Sequence, residues 1–215
     1  MPAPQSGQIE SPAKGFLQAQ GLRGDDAPGL GKAVADTAAQ ALAMFLSQAM
    51  VLPGTPAALV PIPGSGATGG PGRLMPPPAG GPGASQIEGL ATAALSGEGI
   101  RGEDARGLAK AIAGTIARGI ALFAARSMAM PGVAIAGFAS VAPGLLMPVP
   151  LASTLQPIAM GLLRQNGIRG EDAPGLAQAL AQAADMALTL FAAQAMVSPG
   201  IPAAPGATAG PGRLM

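Results

Sequence analysis

One phrase recurs three times along the chain: GLRGDDAPGL from Gly21, GIRGEDARGL from Gly99 and GIRGEDAPGL from Gly167. Running on without a gap, each copy reaches a Phe (Phe45, Phe123, Phe191), a Met (Met50, Met128, Met196) and a Pro-Gly pair at 53–54, 131–132 and 199–200. The first and third copies end in the same words, GPGRLM, and the second in APGLLM. A register held this long comes from duplication. It constrains the fold strongly, because a repeated unit buries its apolar face against the next one. The sequence therefore divides into repeats at 1–75, 76–147 and 148–215.

Each repeat predicts two helices and a tail. The segments before the shared phrase have apolar residues at helical spacing: Ile87, Leu90, Ala91, Ala94 and Leu95 in the second copy, and Leu155, Ile158, Ala159, Leu162 and Leu163 in the third. Ser85-x-x-Glu88 and Ser153-x-x-Gln156 read as capping boxes. The first copy is weaker, with Ile9, Ala13, Phe16 and Leu17, and with Pro12 expected in the first turn. Gly21, Gly99 and Gly167 suit left-handed helix stops. The second helices are expected over roughly 28–51, 106–130 and 174–197, with Asp26, Asp104 and Asp172 placed to cap them and meet the positive end of the dipole.

Large apolar residues of the long helices fall on one face. Leu30, Val34, Leu42 and Phe45 correspond to Leu108, Ile112, Ile120 and Phe123, and to Leu176, Leu180, Leu188 and Phe191. These are core or interface candidates, each Phe contributing about 1.5–3 kcal/mol when buried. Gln48, Arg126 and Gln194 are aligned near that face in the last turn. They mark either the edge of the core or a polar contact between units. The tails that follow, rich in Pro, Gly and small apolar residues, cannot be helical, and proline limits them to short or edge strands. They are expected to extend over neighbouring subunits.

The residue inventory bounds the chemistry. There is no His, Cys, Tyr or Trp in the 215 residues, so three of the groups that acid–base and nucleophilic catalysis draws on first are missing. Carboxylates recur only as adjacent pairs at 25–26, 103–104 and 171–172, without the spacing of a calcium loop. No enzyme, metal or cofactor is expected. Arg23, Arg101 and Arg169 stand two residues before those pairs, which suggests local ion pairs. Arg23-Gly24-Asp25 spells an adhesion tripeptide, but its counterparts read Arg-Gly-Glu and the repeat explains it better. The net charge of +1 gives no footprint for nucleic acid. With 11% charged residues there is little to keep a free monomer soluble.

A membrane role is weighed because mean hydropathy is +0.41 and the long helices approach spanning length. Arg118, Arg126 and Asp185 lie within them, however, and duplicated units should share one fate. The N-terminus lacks the basic start and apolar run of a signal peptide, which suggests cytoplasmic assembly, with incorporation into a virion as one destination.

The helix-and-tail cadence of GLGKAVADTAAQALAMFLSQAMVLPG resembles small Ala-rich structural proteins of phage tails and contractile injection particles. This chain departs from them in fusing three copies, each with a helix placed before it. The resemblance implies a particle component with no catalytic or cofactor residues to carry over. The expectation is thus a mainly α protein of three tandem helix-turn-helix repeats, each followed by an extended Pro/Gly-rich tail, arranged about a pseudo-threefold axis or as a linear array. Its expected role is that of a non-enzymatic structural component whose partners are other particle subunits, in a homo- or hetero-oligomer. A membrane-associated helical protein and an apolar small-molecule carrier are the alternatives.

Overall fold

The computed structural model describes residues 3–60, 65–77 and 81–215. Helix accounts for 53% of the described residues and strand for 17%, so the chain is mainly helical, with a strand content that the proline-rich tails did not announce. Three helical hairpins follow one another: α1 (Ser6–Ala19) with α2 (Ala27–Gln48), α3 (Ala84–Gly97) with α4 (Glu103–Arg126), and α5 (Ala152–Gln165) with α6 (Ala173–Gln194).

Each short helix ends in the same way. Gly21, Gly99 and Gly167 adopt φ of +79°, +79° and +85°. The following amides, of Leu22, Ile100 and Ile168, reach back to the carbonyls of Leu17, Leu95 and Leu163 at 3.0, 3.0 and 2.9 Å. This is the left-handed stop expected of those glycines, and it satisfies carbonyls that the helix end would otherwise leave bare. The helix starts differ from expectation. Ser85 and Ser153 lie one residue inside their helices, and the amide of Gly83 is held instead by Gln86 Oε1 at 3.0 Å. Pro12 sits in the second turn of α1 rather than the first.

The long helices meet pairwise at the centre, and each short helix lies against its own long helix and that of the preceding hairpin. Thus α3 touches α4 and α2, α5 touches α6 and α4, and α1 closes the circle against α2 and α6. The linear array is thereby replaced by a closed ring. Glycines of the shared phrase permit the close approach. A Cβ at Gly29, Gly107 or Gly175 would lie 3.2 Å from Glu98 Cβ, 2.5 Å from the Asn166 carbonyl oxygen or 3.1 Å from Gln20 Cβ. Those three partners are the C-caps of α3, α5 and α1. One continuous buried core draws on all three hairpins.

The long helices stop three or four residues short of their expected ends, because the chain turns extended at Ala49, Ser127 and Ala195. The next two residues form β1 (Met50–Val51), β5 (Met128–Ala129) and β9 (Met196–Val197). They pair with the ends of the tails, β4 (Gly72–Arg73), β8 (Gly144–Leu145) and β12 (Gly212–Arg213), in the order β1–β12, β4–β5 and β8–β9. Single bridges Val51–Leu74, Ala129–Leu146 and Val197–Leu214 join these pairs into a closed ring beneath the helices.

Beyond it stands a second ring. The hairpins β2 (Pro56–Val60) with β3 (Ser65–Thr68), β6 (Ala134–Ala136) with β7 (Ala139–Ser140), and β10 (Ala203–Ala204) with β11 (Gly206–Thr208) form one antiparallel sheet. Its order is β10-β11-β2-β3-β6-β7, and a bridge from Ala139 to Pro202 closes it. The tails therefore fold onto their own chain. Their buried backbone groups need partners, and strands of two to five residues between turns supply them around the ring. Pro56, at the first position of β2, is where a strand tolerates proline.

Candidate interaction surface

The expected core residues converge on the axis. Phe45, Phe123 and Phe191 are fully buried, with ring centroids 6.4, 5.4 and 5.9 Å apart, two of the three contacts being edge-to-face. Leu176 is buried, while Leu30 and Leu108 are half-buried at the margin of the same core. Of the aligned polar trio, Gln194 donates from Nε2 to Gln8 Oε1 of α1 at 3.2 Å, a contact between the third and first sectors. Gln48 and Arg126 are exposed, and neither makes a side-chain hydrogen bond among the described residues.

The capping expectation needs correction. Asp26 and Asp172 precede α2 and α6 but are themselves in the helical region, at φ −82° and ψ −12°, and neither makes a side-chain capping bond. A cap acceptor normally needs the extended backbone that turns it toward the following amides. Asp104 lies inside α4, which begins at Glu103. Where the other copies have Pro28 and Pro174, this copy has Arg106, whose amide is free to donate, and the helix begins two residues earlier. These acids are left to act through the dipole alone.

Other charges are few in their pairings. The ion pairs among the described residues are Lys14–Glu10 and Lys32–Glu98, both at 2.5 Å, so the local pairs expected of Arg23, Arg101 and Arg169 are not formed. Hydrogen bonding to Glu98, with its charge, raises the Lys32 pKa above its ordinary 10.5. The start of α5 is tied to the bundle by Asp185, whose Oδ1 accepts the Leu151 amide at 2.5 Å. Ser6, at the start of α1, donates to Asp36.

Between the two strand rings a cavity of about 30 Å³ lies on the axis, lined by equivalent residues of all three sectors, including Val51, Ala129 and Val197. It has room for one or two waters and not for a metabolite, whose pockets run to roughly 300–1,000 Å³. Thr68, Ser140 and Thr208 also line it. Each hydroxyl accepts an amide from the next sector, of Val133, Ile201 and Thr55, at 3.0, 2.9 and 3.0 Å. These hydroxyls close the barrel.

The outer face of the lower ring carries the feature that sequence reasoning passed over. Register places Met50 opposite Arg213, Met128 opposite Arg73 and Met196 opposite Leu145, and directly opposed residues share a face of the sheet. The amides of Met75, Met147 and Met215 bond the carbonyls of Met50, Met128 and Met196 at 2.8 Å, which brings three more methionines alongside. Six methionines, half-buried or exposed, thus girdle the waist with Arg73, Leu145 and Arg213. The alternate residues, Leu74, Leu146 and Leu214, face inward and are buried. The signal was present in the sequence as methionines at matching positions, but their common outward direction depended on a strand register that only the ring sets.

The two ends of the molecule differ in character. From Ser127 to Leu163 there is no charge, and Arg73 and Arg213 are the only charges on the stretches 37–87 and 186–215. Among the described residues, every exposed large apolar residue is on this barrel half: Val60, Met130, Phe138, Val141, Leu145, Met147 and Met215. Phe138 occupies the β6–β7 turn at φ +62°, the only non-glycine residue with positive φ among those described. No family model matches the chain, and neither a curated protein nor a solved structure is significantly similar to it.

Proposed function

We propose that the protein is a non-enzymatic structural component of a virion or phage-tail-like particle, three copies of one helix-turn-helix-and-tail unit fused into a pseudo-trimer. The methionine girdle carries this reading. Methionine is flexible and polarisable, and methionine-rich surfaces adapt to the partner that covers them. Six of them repeat at matched heights around a rigid barrel, with two arginines and an uncharged barrel end. That is the form of a surface seated in or against other subunits. The tails enter the reading in altered form: they build the contact surface and do not drape over neighbours.

The alternatives lose ground on specific observations. The long helices Glu103–Arg126 and Ala173–Gln194 are apolar enough to span a bilayer, but 56% and 61% of their apolar windows are buried in the bundle, which accounts for their composition. The axial cavity, and the space of about 10 Å³ between the long helices, are too small for an apolar cargo, and the larger space of about 530 Å³ between α4 and α5 is an open surface groove bordered by Arg118 and Gln165.

The test is to tag the chain in its native cells and sediment the lysate. The reading expects the chain in large particles at a fixed copy number, visible by negative stain. Met128→Ser with Met147→Ser should release it while leaving its helical circular dichroism unchanged. Recovery only as free chain, or only with membranes, would overturn the reading.

A further inference from the structure

Apart from the longer β2–β3 hairpin of the first sector, the threefold order of the barrel is broken in the middle sector, and always in the same direction. In the closing segments GATGGPGRLM, FASVAPGLLM and GATAGPGRLM, Phe138 stands where the others have Gly66 and Gly206. Val141 stands in place of Gly69 and Ala209, and Leu145 in place of Arg73 and Arg213. With Met147 these residues make a stripe from the hairpin tip to the waist, exposed by 43%, 57%, 49% and 45%. Phe138 holds the left-handed conformation for which its counterpart Gly206, at φ +101°, is suited. A large aromatic side chain is thus kept exposed in a backbone conformation that disfavours it. Packing within the chain does not explain that placement.

We infer that a second copy of this chain covers the stripe, two middle sectors meeting about a twofold axis. Charge selects the occupant. The middle sector contributes no charge of its own from Ser127 to Leu163, and Arg73 and Arg213 each lie two strands away from Leu145 around the waist, so two such stripes meet with no charge at the centre of the contact. Either of the other sectors would set Arg73 or Arg213 against its own copy. One stripe per chain makes the contact self-complementary and closed at two. Both strand rings are closed, so the contact is made by side chains and not by adding a strand to an edge. The result is a dimer of pseudo-trimers presenting six units.

This deepens the proposed role by naming one partner. A chain that stays monomeric yet enters a particle overturns the dimer alone, and a dimer that joins no particle overturns the role alone.

The experiment is light scattering with refractive-index detection on the full chain over a wide concentration range, without detergent. The mass should rise from 20.7 kDa to twice that value. Leu145→Arg installs the residue that both other sectors already carry, so the fold should hold while dimerisation weakens at least tenfold. Phe138→Gly should also weaken the dimer, yet raise the thermal midpoint of the monomer by removing the strained residue. A mass fixed at 20.7 kDa up to high micromolar concentration overturns the proposal, as does a dimer indifferent to both substitutions. Flotation of a monomeric wild type, but not Leu145→Arg, with phosphatidylcholine–phosphatidylglycerol vesicles would assign the stripe to lipid instead.

Discussion

The hydroxyl of Thr208 accepts the backbone amide of Thr55 at 3.0 Å, joining residues 153 positions apart. The backbones of the same two residues pair as well, the Thr208 amide to the Thr55 carbonyl at 2.8 Å. This seam joins the last sector to the first. Thr208→Val keeps the shape and removes the acceptor, leaving the Thr55 amide without its partner. The expected loss is about 1–3 kcal/mol in a denaturant titration. Thr208→Ser should cost much less, since Ser140 performs the same task on Ile201 at 2.9 Å.

Two glycine-to-alanine changes in helices should have opposite signs. Gly89 lies in α3 with no atom within 4 Å of an added Cβ, so Gly89→Ala should stabilise the chain by about 0.5–1 kcal/mol through helix propensity alone. Gly107→Ala in α4 gains the same propensity but drives the Cβ to 2.5 Å from the Asn166 carbonyl oxygen, a backbone atom that cannot step aside. Overpacking of that kind costs roughly 1–3 kcal/mol and outweighs the gain. Thermal midpoints of the two variants should move apart from the wild type.

The helical half was legible because its signals are local. Apolar spacing, and the glycines at 21, 99 and 167 that stop the short helices, identify the hairpins from residues within one turn of each other. The barrel was not, because strands of two to five residues have too few positions to show alternation, and their partners lie in other sectors. Met50 faces outward only because Arg213 lies opposite it. Asp104 misled for a local reason, the absence of a proline at 106. Phe138 lies in the apolar tail of the second repeat, and its exposure follows from the turn at Gly137.

The three axial phenylalanines should behave as a coupled set. Phe191→Ala removes a fully buried ring in contact with both others, and the expected cost is about 3–5 kcal/mol. Phe45→Ala added to it should cost less than the sum, because the 5.4 Å contact between them is lost only once. A double-mutant cycle in urea that gave strict additivity would show that the rings do not act together.

Lys32 and Glu98 link α2 to the end of α3, and the Lys32 pKa is raised in the fold by that partner. A group whose pKa is higher folded than unfolded contributes its full stability below the unfolded value and loses it as pH rises through the folded one. The contribution should therefore be constant through neutral pH and fade above about 10.5. Lys32 is exposed, so the effect is small. Lys32→Met should flatten the alkaline limb of the pH–stability curve.

Removal of residues 197–215 tests whether the tails are appendages or structure. If they were appendages, the truncated chain would keep its helices and its cooperativity. In the folded chain, however, that segment provides Val197 of β9 and all of β10, β11 and β12, which close both rings. Without it, β1, β8, β2 and β7 each lose a pairing neighbour, exposing unpaired backbone on an apolar, uncharged surface that invites aggregation. Val197 and Leu214, both in the core, would be lost as well. The expected result is retained helical circular dichroism with a broadened thermal transition and concentration-dependent aggregation. A circular permutant that joins the native ends and opens the chain at the exposed Pro131–Gly132 turn should keep a sharp transition, because every strand keeps its partner.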